Sequence, residues 1–117
     1  MRVHHLAFRT DDLARLEGFY VGALGFAVIR RTEGRSVWLD AGGGIVMLET
    51  RESDEPAYPA GSKELVAFTV EPDSRTRCVD RLVKAGVAVE ASTEFTIYVR
   101  DPEGRRIGLS SYPAALV

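Results

Sequence analysis

A chain of 117 residues that repeats itself once has few ways to fold, because neither copy is large enough to bury an apolar face alone. Ala7-Phe8 returns as Ala67-Phe68 at an offset of 60, and Gly25-Phe26-Ala27-Val28 returns as Gly86-Val87-Ala88-Val89 at 61. Val37-Trp38-Leu39 returns as Ile97-Tyr98-Val99 at 60, and Leu48 as Leu109 at 61. These matches come in the same order and drift by a single residue. They divide the chain into a first module, about residues 1–50, and a second, about 63–112. Residues 51–62, with Pro56, Pro59 and Gly61, read as a linker inside a single domain spanning 1–117.

Both copies follow one grammar. A short apolar strand (Val3 to Thr10; Leu65 to Val70) leads to a helix opened by Asp11-Asp12 or by Pro72-Asp73-Ser74, whose side chains suit free backbone amides. Leu13, Leu16, Phe19, Tyr20 and Ala23 recur at helical spacing in the first copy, as do Cys78, Val79, Leu82, Val83 and Ala85 in the second. Gly25 and Gly86 then stop the helices. Three strands follow. Ser36–Asp40 and Ile45–Thr50 flank a hairpin turn at Ala41-Gly42-Gly43-Gly44, and in the second copy Asp101-Pro102-Glu103-Gly104 suits a type I turn. The predicted class is α+β, two βαβββ modules forming a curled mixed sheet with helices outside and a cavity inside.

Alternation assigns the faces. Leu6, Phe8, Val66 and Phe68 belong under the helices, which leaves His5, Ala7 and Arg9, with Leu65, Ala67 and Thr69, on the open face. Ile45, Met47 and Glu49 share that face, as do Arg106, Gly108 and Ser110. His4 and Glu64 fall on the other side. The open face therefore carries the candidate chemistry. His5 is placed as a general base or ligand, or as a hydrogen-bonded polar residue. Glu49 is a proton-abstracting carboxylate or a solvated strand end. Trp38 and Tyr98, at equivalent strand positions, are cavity walls for a planar ligand or core packing. Arg9, Arg100 and Arg106 are candidate clamps for a carboxylate or phosphate, of which at most one is backed.

Composition narrows the partners. With 45% apolar and 27% charged residues the chain is of ordinary globular make-up, and its 15 basic and 17 acidic side chains are interspersed, which disfavours nucleic acid and anionic membranes. The start, Met-Arg-Val-His-His, lacks an apolar signal core, so a cytoplasmic location is expected. The single cysteine, Cys78, excludes an internal disulfide and a thiolate cluster, and its helical setting beside Val79 and Leu82 reads as packing.

Taken together, His-Leu-Ala-Phe at 5–8, Phe19-Tyr20, Leu24-Gly25-Phe26, Ala67-Phe68-Thr69-Val70 and Asp101-Pro102-Glu103-Gly104 with Ile107 resemble the vicinal oxygen chelate superfamily of glyoxalases, bleomycin- and fosfomycin-resistance proteins and extradiol dioxygenases. The resemblance covers nearly the whole chain. It implies a cup of two modules, frequently completed in a homodimer, and a divalent metal held by one residue from the first strand and one from the last strand of each module. Those positions map to His5, Met47, Leu65 and Gly108, with Glu49 two residues beyond Met47. A catalytic zinc needs about three protein donors and a hard cation about six ligands in all. His5 and Glu49 are the metal ligands only if a metal binds, and methionine suits a softer ion than the zinc, nickel, manganese or magnesium of the relatives.

The sequence reading is therefore a cofactor-free, small-molecule-binding protein, sequestering a partly aromatic ligand with Arg9, Trp38, Met47, Leu65, Tyr98 and Arg100. The alternative is a glyoxalase-like lyase, isomerase or group-transferase using His5 and Glu49 with a divalent metal. A scaffolding module with a filled centre is the third.

Overall fold

The computed structural model describes residues 1–113 and divides into two compact units, Met1–Tyr58 and Pro59–Val117. The first contains β1 (Leu6–Thr10), α1 (Leu13–Glu17), a π-helical turn (Gly18–Ala23), β2 (Ala27–Thr32), β3 (Ser36–Asp40) and β4 (Ile45–Thr50). Its sheet has the order β1-β4-β3-β2, with β1 parallel to β4 and the remaining pairs antiparallel. The second unit repeats the plan with β5 (Leu65–Thr69), a 3-10 turn (Pro72–Ser74), α2 (Arg75–Lys84), β6 (Ala91–Ser92), β7 (Thr96–Arg100) and β8 (Arg106–Ser110). Its order is β5-β8-β7-β6. Each unit is thus a βαβββ module with one mixed sheet, as the repeat requires.

Local chemistry explains the first helix. The Asp12 carboxylate accepts a hydrogen bond from the Arg15 amide at 3.1 Å, which satisfies an otherwise free donor. The helix then widens. The Leu24 amide bonds to the Phe19 carbonyl, five residues back, at 3.1 Å. The extra residue in the turn lets the consecutive Phe19 and Tyr20 both point inward, their rings 4.9 Å apart and nearly perpendicular. Tyr20, fully buried, also meets Phe8 at 5.6 Å and Phe26 at 5.7 Å. Gly25 ends the helix at φ 81°, a conformation open to glycine at no steric cost.

The face assignment holds. Phe8, Val37, Leu39, Val46 and Leu48 are buried in the first unit, and Ile97, Val99, Ile107 and Leu109 in the second. Three expectations change. The first strand begins at Leu6, not Val3, and Val3 is exposed. Val83 and Ala85 are exposed, so the buried side of α2 is narrower than its spacing suggests and centres on Leu82. Neither Asp73 nor Ser74 supplies a side-chain cap. Pro72 instead starts a 3-10 turn that runs into α2.

The segment after β4 stays with the first unit. The Arg51 amide donates to the Thr10 carbonyl at 2.7 Å, the Arg51 guanidinium pairs with Asp11 at 2.8 Å, and Glu55 bonds to Arg9.

Candidate functional site

The open face of the first unit is a ladder of three strands. Ala7 and Trp38 both pair with Met47, and Arg9 and Ser36 both pair with Glu49. His5 lies just ahead of β1, and its ring stands 4.9 Å from the Trp38 indole, tilted by 56°. On its other side the two Nδ1 atoms of His4 and His5 approach to 2.8 Å. Such a bond needs one ring to donate from Nδ1 and the other to accept there. Strict alternation would have sent His4 to the opposite face. It does not apply there, because residues 1–5 lie outside the strand.

Glu49 is at the far end of this face. Four strand positions separate His5 from Arg9, the partner of Glu49, which is about 13 Å along the strand. Glu49 accepts a hydrogen bond from Arg9 Nη1. The rest of that guanidinium is taken by Glu55, with Nη2 to Oε1 at 2.6 Å and Nε to Oε2 at 3.1 Å. The Arg9 hydrogen bonds hold the Glu55 carboxyl below the usual carboxylate range, and the same contacts raise the Arg9 pKa. Nothing in the sequence marked Glu55 as a partner of Arg9, since it comes from the stretch read as a linker. Beside this ion group a polar cleft of about 420 Å³ opens between Arg9, Arg35, Glu49, Arg51 and Glu52.

In the second unit the corresponding rows are Leu65 with Arg106 and Ala67 with Gly108, flanked on β7 by Arg100 and Tyr98. The repeat thus aligns Trp38 with Tyr98, Met47 with Gly108 and His5 with Leu65, as the offsets imply. Leu65 is partly exposed. Arg100 is fully engaged: Nε donates to Glu90 Oε2 at 2.5 Å, Nη2 to Glu90 Oε1 at 3.1 Å, and Nη1 to the carbonyls of Ser62 at 2.6 Å and Gly104 at 3.1 Å. Arg100, chiefly by hydrogen bonding, lowers the Glu90 pKa. Asp101 works for the turn. Its backbone carbonyl accepts from the Gly104 amide, while its carboxylate accepts from the amides of Glu103 and Arg105 and pairs with the buried Arg105 guanidinium at 3.0 Å.

Residues 2–109 match the model of the Glyoxalase/Bleomycin resistance protein/Dioxygenase superfamily. The chain belongs to this superfamily. Virulence protein STM3117 of Salmonella typhimurium is 28% identical over 123 residues, covering 95% of this chain and 84% of that protein. Fosfomycin resistance protein FosX of Listeria monocytogenes superposes with a TM-score of 0.78 at 14% identity, over 94% of this chain and 90% of that one. Lactoylglutathione lyase of Agrobacterium tumefaciens gives 0.72 at 19% identity, over 93% and 92%. At these identities the two structures share the superfamily fold with this chain.

Superfamily metal chemistry needs donors, and the four positions present one imidazole, one thioether, one alkyl chain and one hydrogen. That set does not fit a hard divalent ion. Among the described residues no three His, Cys, Asp or Glu side chains come together where they could hold one. Gly108 is the most telling position. A Cβ built there meets the Ala67 Cβ at 3.2 Å, Thr96 Cγ2 at 3.3 Å and Leu65 Cδ1 at 3.4 Å. The side chains around the fourth ligand position have closed over it, leaving little room for a carboxylate stem. Among the described residues, no helix is long and apolar enough to cross a membrane.

Proposed function

We propose that this protein binds a small, partly aromatic molecule without the superfamily's usual metal centre, on an open sheet face where Trp38 in the first unit and Tyr98 in the second are the aromatic walls. The observation that supports the reading is Gly108: any side chain there would press on Ala67, Thr96 and Leu65, which disfavours a carboxylate ligand at that position. Met47 and Leu65 at the other positions make the faces apolar, and aromatic walls add about 0.5–1.5 kcal/mol for each well-placed ring contact. His5 then orients a polar substituent through its ring nitrogen, next to Trp38. Arg9 and Arg100 are spoken for by carboxylates, so they stiffen the faces and contribute less as ligand clamps.

Trp38 is the only tryptophan, so its fluorescence reports on the face directly. Small aromatic compounds should quench or shift its emission equally with and without EDTA. Ligand binding that appears only on adding a stoichiometric divalent ion, and is lost in His5→Ala, would overturn the metal-free reading. The proposal includes a homodimer sharing its cavities. Sedimentation of a monomer at micromolar concentration would remove that part.

The metal-dependent reading keeps one specific support. A variant of Listeria FosX has been solved with Mn(II) and 1S,2S-dihydroxypropylphosphonic acid. Carried over here, it would use His5 and Glu49 as ligands and as acid or base. The separation of those residues along the face, and the bond from Arg9 to Glu49, count against a shared role.

A further inference from the structure

Four arginines lie on the open faces; Arg30, opposite Trp38 on β2, is exposed, and the three less exposed ones differ in what they are given to bind. Arg9 and Arg100 have carboxylate partners in good geometry. Arg106 does not. Its side chain is only 16% exposed, yet its buried Nε has no hydrogen-bond partner. The nearest carboxylate oxygen, Glu90 Oε1, is 3.4 Å away, within ion-pair range but out of line for a hydrogen bond. Among the described residues no acceptor hydrogen-bonds any nitrogen of this guanidinium. The group instead lies over the Tyr98 ring, its central carbon 4.2 Å from the ring centroid.

Charge counting points the same way. Glu90 gives both oxygens to Arg100, and its carboxyl is also held down by the charges of Arg106 and Lys63. Two guanidiniums and an ammonium therefore share one carboxylate. A mostly buried, stacked guanidinium with unused donors is costly unless a second anion completes it. Its position adds the rest. Arg106 is the ladder partner of Leu65 and sits two residues before Gly108 on the same face, beside the positions where metal donors are missing.

We infer that Arg106, held flat by Tyr98, is the receptor for an oxyanion on the ligand, a carboxylate or phosphonate carried by a small apolar or aromatic body. The guanidinium supplies beside Leu65 and Gly108 the positive charge that a metal would otherwise bring to the ligand's oxygens, and its planar fork suits two oxygens at once. The inference rests on the metal-free binding reading above and names the ligand class for it.

Benzoate, phenylphosphonate and the neutral benzamide separate the two. The readout is the arginine Nε–H resonances in a ¹⁵N–¹H spectrum, titrated for affinity and compared for location, with Arg106→Lys identifying the resonance of Arg106. Benzoate and phenylphosphonate should bind at least about ten-fold tighter than benzamide, as expected when charge-assisted hydrogen bonds are gained. They should move the Arg106 resonance ahead of those of Arg9, Arg30 and Arg100. Arg106→Met should erase the preference, and Arg106→Lys should keep part of it. Equal binding of benzoate and benzamide overturns the oxyanion receptor and leaves the binding reading standing. Binding by none of the three at about 10 mM, near the weakest affinity worth scoring, overturns both. Should Arg106→Met fail to fold, the wild-type spectrum decides, since an Arg106 resonance unmoved by bound benzoate rules the contact out.

Discussion

The two modules share a topology and differ in where their interactions are invested. The first has a four-ring cluster about Tyr20, a helix capped by Asp12, and an open face on which the half-buried Arg9 of β1 is matched by two carboxylates. The second has a two-residue β6, a helix without a side-chain cap, half-buried Val66 and Phe68 on β5, and a mostly buried open-face arginine whose Nε is left without a hydrogen bond. Duplication lets one copy carry the packing while the other is freed to change its surface chemistry. That division predicts unequal responses to mutations placed in the two modules.

The largest asymmetry concerns the core. Tyr20→Ala should cost about 3–5 kcal/mol in urea denaturation, the range for deleting a buried aromatic ring. Val83→Asn on α2 should stay within about 0.5 kcal/mol, because that side chain is exposed. Comparable losses would erase the contrast between the modules. Next comes a pair of glycines. Gly44→Ala should be neutral or stabilise by up to about 1 kcal/mol, since its added Cβ meets nothing within 4 Å. Gly108→Ala should instead destabilise by about 1–3 kcal/mol, because the Ala67 Cβ is fixed to its own backbone and cannot swing away. A stabilised Gly108→Ala would mean that the fourth ligand position is still open.

The helix starts give a smaller difference. Asp12→Ala should lose about 1 kcal/mol, and Ser74→Ala, whose hydroxyl does not cap α2, should lose no more than about half of that. The smallest effect is in the pH profile. The folded-state pKa of Glu55 lies below its unfolded value, so its pairing with Arg9 contributes above the ordinary carboxylate range and is lost as pH falls through the folded value. Glu55→Gln should therefore flatten the acid side of the melting-temperature profile. Glu90→Gln should do the same for the second module and leave Arg100 and Arg106 to repel each other. An acid limb unchanged in Glu55→Gln would show that segment 51–58 is held by other contacts.

Much of the plan was legible because it is periodic. Alternation on β1 and β4 put Phe8 under the helix and Met47 and Glu49 on the opposite face, and the repeat offsets put Trp38 and Tyr98 at one structural position. Legibility failed where periodicity stopped. His4 meets His5 because the strand has not yet begun, so no pleat separates them. The pairing of Glu55 with Arg9 joins residues 46 apart in sequence, and nothing local marks it. Three arginines that look alike in sequence prove unlike in the fold, because only distance and angle decide which of them Glu49, Glu55 and Glu90 can satisfy.

The parallel outer strand also sets an order of events during synthesis. In each module the strand made first pairs with the strand made last, Leu6 with Val46 and Leu65 with Arg106, so its ladder closes across about forty residues. β1 leaves the ribosome early and has no partner until β4 follows, whereas β2, β3 and β4 form a local meander as they emerge. The same delay returns for β5. The slow step in each module is therefore the docking of its first strand, which follows directly on His5 in one module and begins with Leu65 in the other, so the open faces are completed last.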